Sequence, residues 1–279
     1  MSIYYVDGEF VEADKAVLPL SDLAILRGYG VFDYMRTYGG RAFHLEAHVR
    51  RLMNSARLIG LECPWDLNEI KEIVKETLAR NENPESTVRL LITGGDSADS
   101  ITPGNNPRLI VMVKPAKNFP DHWYEEGIKV ITTNITRYVP GAKSIDYIRA
   151  IISLNTARES GAVESLYVAE NKWVLEGTTS NVFAVIDGQL ATPQEEILPG
   201  VTRDVVLEIT KPVFNPQLRT ISRDELYQAE EIFLTSSNKE VLPVRQVDEK
   251  TIGNGKPGKI TREVQELFRD YTGRYDSKQ

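Results

Sequence analysis

The sequence predicts an α+β protein in two parts. Three observations carry that prediction: short apolar runs paired around Asp-Gly and Gly-Gly, amphipathic helical segments after them, and a polar, proline-bearing stretch at 115–120. Asp7-Gly8 separates Ile3–Val6 from Phe10–Val11, a two-residue hairpin signal. Gly39-Gly40 separates Gly30–Tyr38 from Arg41–His44 in the same way. Leu45, Val49, Leu52, Ala56 and Ile59 recur at helical spacing and predict a helix over 45–58. Asp66 is the expected N-cap of the next helix, whose face is Leu67, Ile70, Val74 and Leu78. Strands are expected at 88–93 and 109–114, around a polar loop. The expected division is a first part over 1–118, a connector over 119–124 and a second part over 125–279. In the second part, strands are expected at 128–135, 164–169, 172–175, 181–186 and 230–235. Helices should follow Asp146, with Ile148, Ile151, Ile152 and Leu154, and Thr202, with Val205, Val206 and Ile209. A last helix should run from Thr261 to Tyr271, and no internal repeat is visible.

Composition narrows the function. With 279 residues, 41% hydrophobic and 26% charged, the chain can bury a substantial core. Its 33 basic and 40 acidic residues give a net charge of −7 with no long basic run, which argues against nucleic acid or an anionic membrane as partner. Cys63 is the sole cysteine, so there is no intrachain disulfide, and no metal site is expected. The N-terminal residues lack the basic-then-apolar pattern of a secretory signal, and no apolar stretch approaches the roughly 20 residues that span a bilayer. The expected location is the cytoplasm.

Lys143 is the residue on which the chemistry turns. Glu176 follows it within Leu175-Glu-Gly-Thr-Thr-Ser-Asn181, and Gly200-Val-Thr-Arg-Asp204 comes next. A lysine that can form a Schiff base, a carboxylate for a pyridinium nitrogen, and hydroxyl and amide donors for a phosphate are what pyridoxal phosphate asks of a protein. Alone, Lys143 would read as a solvated surface group, Glu176 as a loop carboxylate, and Thr178, Thr179 and Ser180 as turn residues. Val201 and Thr202 open a predicted helix, where backbone N–H groups and the dipole favour an anion. Ser237 and Asn238 offer a further hydroxyl and amide after the strand at 230–235.

These segments, with Leu198-Pro-Gly-Val-Thr-Arg-Asp204 and Glu240-Val-Leu-Pro-Val244, resemble the class IV, fold-type IV pyridoxal-phosphate transaminases. Gly30-Val-Phe-Asp33 and His48-Val-Arg-Arg-Leu52 match that family's motifs in the same order, and the resemblance runs from about residue 5 to residue 270. It implies a small α/β N-terminal domain, a larger β-rich domain that binds pyridoxal 5'-phosphate, and a homodimer with its sites near the interface. It makes Lys143 the aldimine lysine and proton shuttle, Glu176 the pyridine-nitrogen partner, and Arg51 a phosphate ligand. Val201, Thr202 and Ser237 would hold the phosphate, with Thr179, Ser180, Asn181 and Asn238 as neighbouring cofactor contacts.

Substrate choice is read from departures from the pattern. The family's branched-chain enzymes typically carry a tyrosine where this chain has Ile148, and Tyr-x-Arg where it has Thr87-Val88-Arg89. Its D-amino acid enzymes typically carry a tyrosine at Phe32 and an Arg-x-His in a loop that here, over 94–107, holds neither. The candidates for an α-carboxylate are then Arg27, Arg89 and Lys239, beside Phe32, a set similar to a variant subgroup of D-amino acid transaminases. The expected reaction is ping-pong transfer of an amino group between a D-amino acid and a 2-keto acid. An L-branched-chain aminotransferase, which Arg36 supports, aminodeoxychorismate lyase and a non-catalytic pyridoxal-phosphate carrier are the alternatives.

Overall fold

The computed structural model describes residues 2–277, and the chain divides into two units, each with its own sheet. The first unit contains residues 2–117 together with Gly141–Tyr147; the second contains Asn118–Pro140 and Ile148–Arg274.

In the first unit, β1 (Ile3–Val6) and β2 (Glu9–Glu12) form the expected hairpin, with Asp7 and Gly8 both at positive φ, 48° and 103°. A short α1 (Leu23–Arg27) leads into β3 (Gly30–Tyr38). Next, β4 is only Arg41–Ala42, because His44 turns left-handed (φ 47°) and becomes the residue before α2 (Leu45–Leu58). The second long helix, α3 (Leu67–Ala79), starts on a full capping box between Asp66 and Glu69. With β5 (Ser86–Thr93) and β6 (Arg108–Pro115) the sheet order is β2-β1-β6-β5-β3-β4. Alternation along β3 turns Val31 and Met35 inward, where they pack with Val49 and Leu52 of α2, Ile70 and Val74 of α3, and Val88 and Leu90 of β5. Asp33 lies on that same inward face, fully buried.

The expected connector is not a connector throughout. Residues Asp121–Glu126 form α4 of the second unit, which continues through β7 (Ile128–Asn134), α5 (Ile148–Glu159), β8 (Glu164–Val168), β9 (Trp173–Gly177), β10 (Asn181–Ile186) and β11 (Gln189–Thr192). Then come α6 (Val201–Phe214), β12 (Gln217–Leu218), β13 (Ile221–Ser222), α7 (Arg223–Gln228), β14 (Glu231–Ser236), β15 (Glu240–Val247), β16 (Lys250–Thr251) and α8 (Lys259–Ser277). The sheet runs β12-β11-β10-β14-β15-β7-β8-β9-β13, with β16 on β15. Its centre includes β15, which sequence periodicity does not predict; Pro243 lacks an N–H and interrupts the run, yet pairs with Phe233. Another expectation is reversed in α5. Ile148, Ile151 and Ile152 are exposed, while Ala150, Ser153 and Ala157 form the buried face. Among the described residues no helix is long and apolar enough to cross a membrane.

Candidate active site

Lys143 lies in the stretch that belongs to the first unit although its flanks belong to the second. The stretch lines up beside the start of β3: the Phe32 N–H donates to Lys143 O (2.8 Å) and the Ile145 N–H to Gly30 O (3.1 Å). Gly30 has to be glycine there, since a Cβ would stand 2.8 Å from Ile92 O and 3.0 Å from the Ile145 side chain. From α2, Ser55 Oγ accepts the Lys143 N–H (3.0 Å) and donates to Arg51 O (2.7 Å). The Lys143 Nζ is 4.7 Å from the centre of the Phe32 ring, and the Arg89 guanidinium is 5.0 Å from the same ring. Arg89 reaches it because β3 and β5 pair Tyr34 with Arg89, which also stacks on Tyr34 at 5.4 Å. Tyr147 meets Phe32 edge-on at 5.4 Å. Three predicted residues, Lys143, Phe32 and Arg89, therefore gather around one ring.

Arg51 is held on the inward face of β3. Its Nε and Nη2 donate to the two oxygens of Asp33 at 2.8 and 2.9 Å, a bidentate pair, and His48 Nδ1 lies 2.7 Å from Asp33 Oδ1. Burial alone would raise the Asp33 pKa; the charges of Arg51 and His48 and their hydrogen bonds override it and hold the carboxyl far below the usual range. For His48, burial dominates and lowers the pKa against the pull of Asp33, so the ring is neutral near pH 7 and donates to the carboxylate. Arg27 is exposed at the end of α1 and donates to Leu26 O (2.8 Å); it joins none of these clusters through that contact.

In the second unit, Glu176 is buried near the end of β9. The Arg137 Nε lies 2.9 Å from one Glu176 oxygen, and the other accepts the Leu198 N–H at 3.0 Å and faces the Asn181 amide at 3.5 Å. Asn181 also donates to Leu198 O (2.9 Å). Helix α6 opens on Gly200 with no side-chain cap, and buried Val201 and Thr202 form its first turn. Thr178, Thr179 and Ser180 make the turn from β9 to β10; Ser237, Asn238 and Lys239 make the turn from β14 to β15. Lys239 is placed otherwise than the sequence suggests. Its side chain is buried and its Nζ donates to Glu164 Oε2 (2.8 Å) and Thr179 Oγ1 (2.9 Å), so its charge is spent inside the unit.

Residues 30–247 match the amino-transferase class IV family. The chain belongs to that family. A Methanocaldococcus jannaschii relative, which carries a provisional branched-chain-amino-acid aminotransferase name, is 31% identical over 98% of each chain. The D-alanine aminotransferase of Bacillus licheniformis is 29% identical over 93% of each. Among solved structures, the Escherichia coli branched-chain amino acid aminotransferase superposes with a TM-score of 0.90 at 26% identity, covering 96% of this chain and 94% of that one. A thermophile branched-chain amino acid aminotransferase solved with pyridoxamine 5'-phosphate reaches a TM-score of 0.92 at 28% identity, covering 97% of this chain and 94% of that one. This aminotransferase thus has a mixed helix-and-sheet fold-type IV architecture.

Sequence reasoning about this aminotransferase passed over four groups. Asp33 and His48 stood inside quoted motifs without a role, though His48 and Arg51 are three apart on one helix face and Asp33 alternates inward on β3. Arg137 and Glu164 carried no local signal; only the sheet brings them to Glu176 and Lys239.

Proposed function

We propose that this chain is a transaminase that moves an amino group between a D-amino acid and a 2-keto acid in two half-reactions. Class IV aminotransferases depend on pyridoxal 5'-phosphate, and the donor set fits that cofactor: a lysine, a buried carboxylate, a clamped arginine and a helix N-terminus without a side-chain cap. Bound, the cofactor supplies the electron sink for a carbanion at the substrate Cα. Lys143 Nζ anchors it and moves the proton between Cα and the cofactor's C4′ carbon, a step that typically contributes about 10²–10⁴-fold. Glu176, set by Arg137 and the Leu198 N–H, keeps the proton on the pyridine nitrogen. Arg51, Val201 and Thr202 take the phosphate, with Thr179, Ser180, Asn181, Ser237 and Asn238 as polar donors around the cofactor.

The observation that carries the substrate reading is the Arg89 guanidinium beside Phe32, on the ring that Lys143 also meets. A carboxylate leaving water needs such a cation. With Lys239 committed to Glu164, that task falls to Arg89 and to Arg27. Arg36 favours a second reading, an L-branched-chain aminotransferase: it shares its face of β3 with Phe32 and Tyr34, stacks on Tyr38 at 4.8 Å, and the relatives point both ways. The exposed Ile148, Ile151 and Ile152 support a homodimer.

The test is a panel of half-reactions with D-alanine, D-glutamate, L-leucine and aminodeoxychorismate, followed by cofactor absorbance. Conversion by D-amino acids is expected; conversion by L-leucine alone would sink the D assignment. A Lys143→Ala protein should lose the visible band of covalently held cofactor.

A further inference from the structure

The strongest unassigned feature is a buried carboxylate that collects donors from two loops at once. Glu164, the first residue of β8, is fully buried. It accepts from Thr178 Oγ1, from Thr179 Oγ1 (2.6 Å), from Ser180 Oγ (3.4 Å), from Lys239 Nζ (2.8 Å) and from the Ser165 N–H (3.2 Å). A carboxylate offers about four lone-pair sites, so this one is saturated. Lys239 Nζ also donates to Thr179 Oγ1 (2.9 Å), closing a triangle among the carboxylate, the ammonium and the hydroxyl.

The geometry around the triangle is tight. The Gly177 N–H donates to Ser180 O (2.7 Å) and the Thr178 N–H to Ser165 O (3.0 Å), which seats the turn over Glu164. A Cβ on Gly177 would collide with Ser180 Oγ. The turn is bounded by Glu176 on one side and Asn181 on the other, both on the Leu198 backbone. At the second loop, the Lys239 N–H donates to Ser236 Oγ (3.3 Å), and Ser236 in turn to Asn238 Oδ1 (3.0 Å). One carboxylate thus ties together the two turns that carry Thr179, Ser180, Ser237 and Asn238. Burial would raise its pKa, but the Lys239 charge and the hydrogen bonds of Lys239, Thr178 and Thr179 outweigh burial and keep it ionised.

We infer that Glu164 and Lys239 are positioning residues for the cofactor side of the site: a buried ion pair that locks the Thr178–Ser180 and Ser237–Lys239 turns and so fixes the carboxylate of Glu176. This rests on the proposed cofactor roles of those turns. It also assigns Lys239 to the framework instead of the substrate. The two residues act as a unit, so neither is useful without the other.

The experiment compares the wild-type holoenzyme with Lys239→Met, Glu164→Gln, the double variant and Thr179→Val. Each is measured for pyridoxal phosphate dissociation, the pH midpoint of the visible cofactor band, and half-saturation by the keto acid. The expected result is about tenfold or greater loss of cofactor affinity in each charge variant, with a shifted band midpoint because Glu176 has moved. The double variant should lose little more than one single, the signature of a coupled pair. Thr179→Val, which deletes one hydroxyl, should show a smaller loss in the same direction, and it keeps the test decisive if a charge variant does not fold. Unchanged cofactor affinity and band midpoint, with a keto-acid half-saturation raised tenfold in Lys239→Met, would overturn the inference and return Lys239 to the substrate. Wild-type protein that bound no pyridoxal phosphate would overturn the cofactor roles themselves, a separate outcome.

Discussion

Asp33, His48 and Arg51 show how three buried side chains make an arginine usable. Free arginine can adopt many rotamers; here Asp33 grips two guanidinium nitrogens, and His48 completes the grip from the same helix face. The pH consequence follows from the signs. The His48 pKa is lowered in the folded protein, so its contribution to stability is complete above the unfolded value of about 6.5 and is lost as pH falls toward the folded value. Asp33 is lowered too, so its contribution is lost only at strongly acid pH. Thermal unfolding between pH 8 and 5 should therefore show stability falling below about pH 6.5, and His48→Asn should flatten that fall. An identical slope in the variant would contradict a neutral, buried His48. Asp33→Asn, which strands Arg51 without its counter-charge, should cost about 3–5 kcal/mol in denaturant unfolding. At this scale much was legible: the positions of Lys143, Glu176 and Arg51 in their motifs stood out, and helical and strand spacing could have exposed Asp33 and His48. The Glu164–Lys239 pair was hidden because its partners are far apart in the chain and meet only across a sheet.

At the scale of elements, local signals succeeded where local chemistry decides. The Asp7-Gly8 turn, the Asp66 capping box and the helix over Leu45–Leu58 are fixed by residues within a turn of one another. They failed where pairing partners decide. Strand β15 is stabilised by β14 on one edge and β7 on the other, which no periodicity within 240–247 reveals. The N-terminus of α6 combines both kinds of control. Gly200 has an ordinary extended backbone (φ −78°), so its need for glycine is purely spatial: a Cβ would collide with Asn181 Oδ1. Gly200→Ala must push Asn181 off the Leu198 carbonyl and twist the first turn of the helix. Overpacking of this kind typically costs about 1–3 kcal/mol. The expected outcome is that loss in thermal or denaturant unfolding, with weaker binding of pyridoxal phosphate to the apoenzyme. A variant with wild-type cofactor affinity would show that this helix end is not part of the phosphate site.

At the scale of the whole molecule, the chain passes from the first unit to the second at Lys117–Asn118, inside the polar stretch that the sequence marks. The return of Gly141–Tyr147 to the first unit has no such mark, because no composition shift accompanies it. The same scale holds the question of assembly. Apolar spacing in α5 predicted a core-facing helix, yet Ile148, Ile151 and Ile152 are 68%, 56% and 61% exposed, and the face turned inward is Ala150, Ser153 and Ala157. Positions three and four apart lie side by side on a helix, so these isoleucines form one continuous apolar stripe. Scattered exposed apolar residues need no explanation, but a contiguous stripe does. Covering it with the same stripe of a second copy is the economical solution, since a two-fold interface asks a surface to match only itself. Replacing Ile151 and Ile152 together by glutamate would place like charges opposite one another in that arrangement. Sedimentation should then show wild-type protein as a dimer and the double variant as a monomer, with the circular dichroism of the fold retained. A double variant that still sedimented as a dimer would remove α5 from the interface.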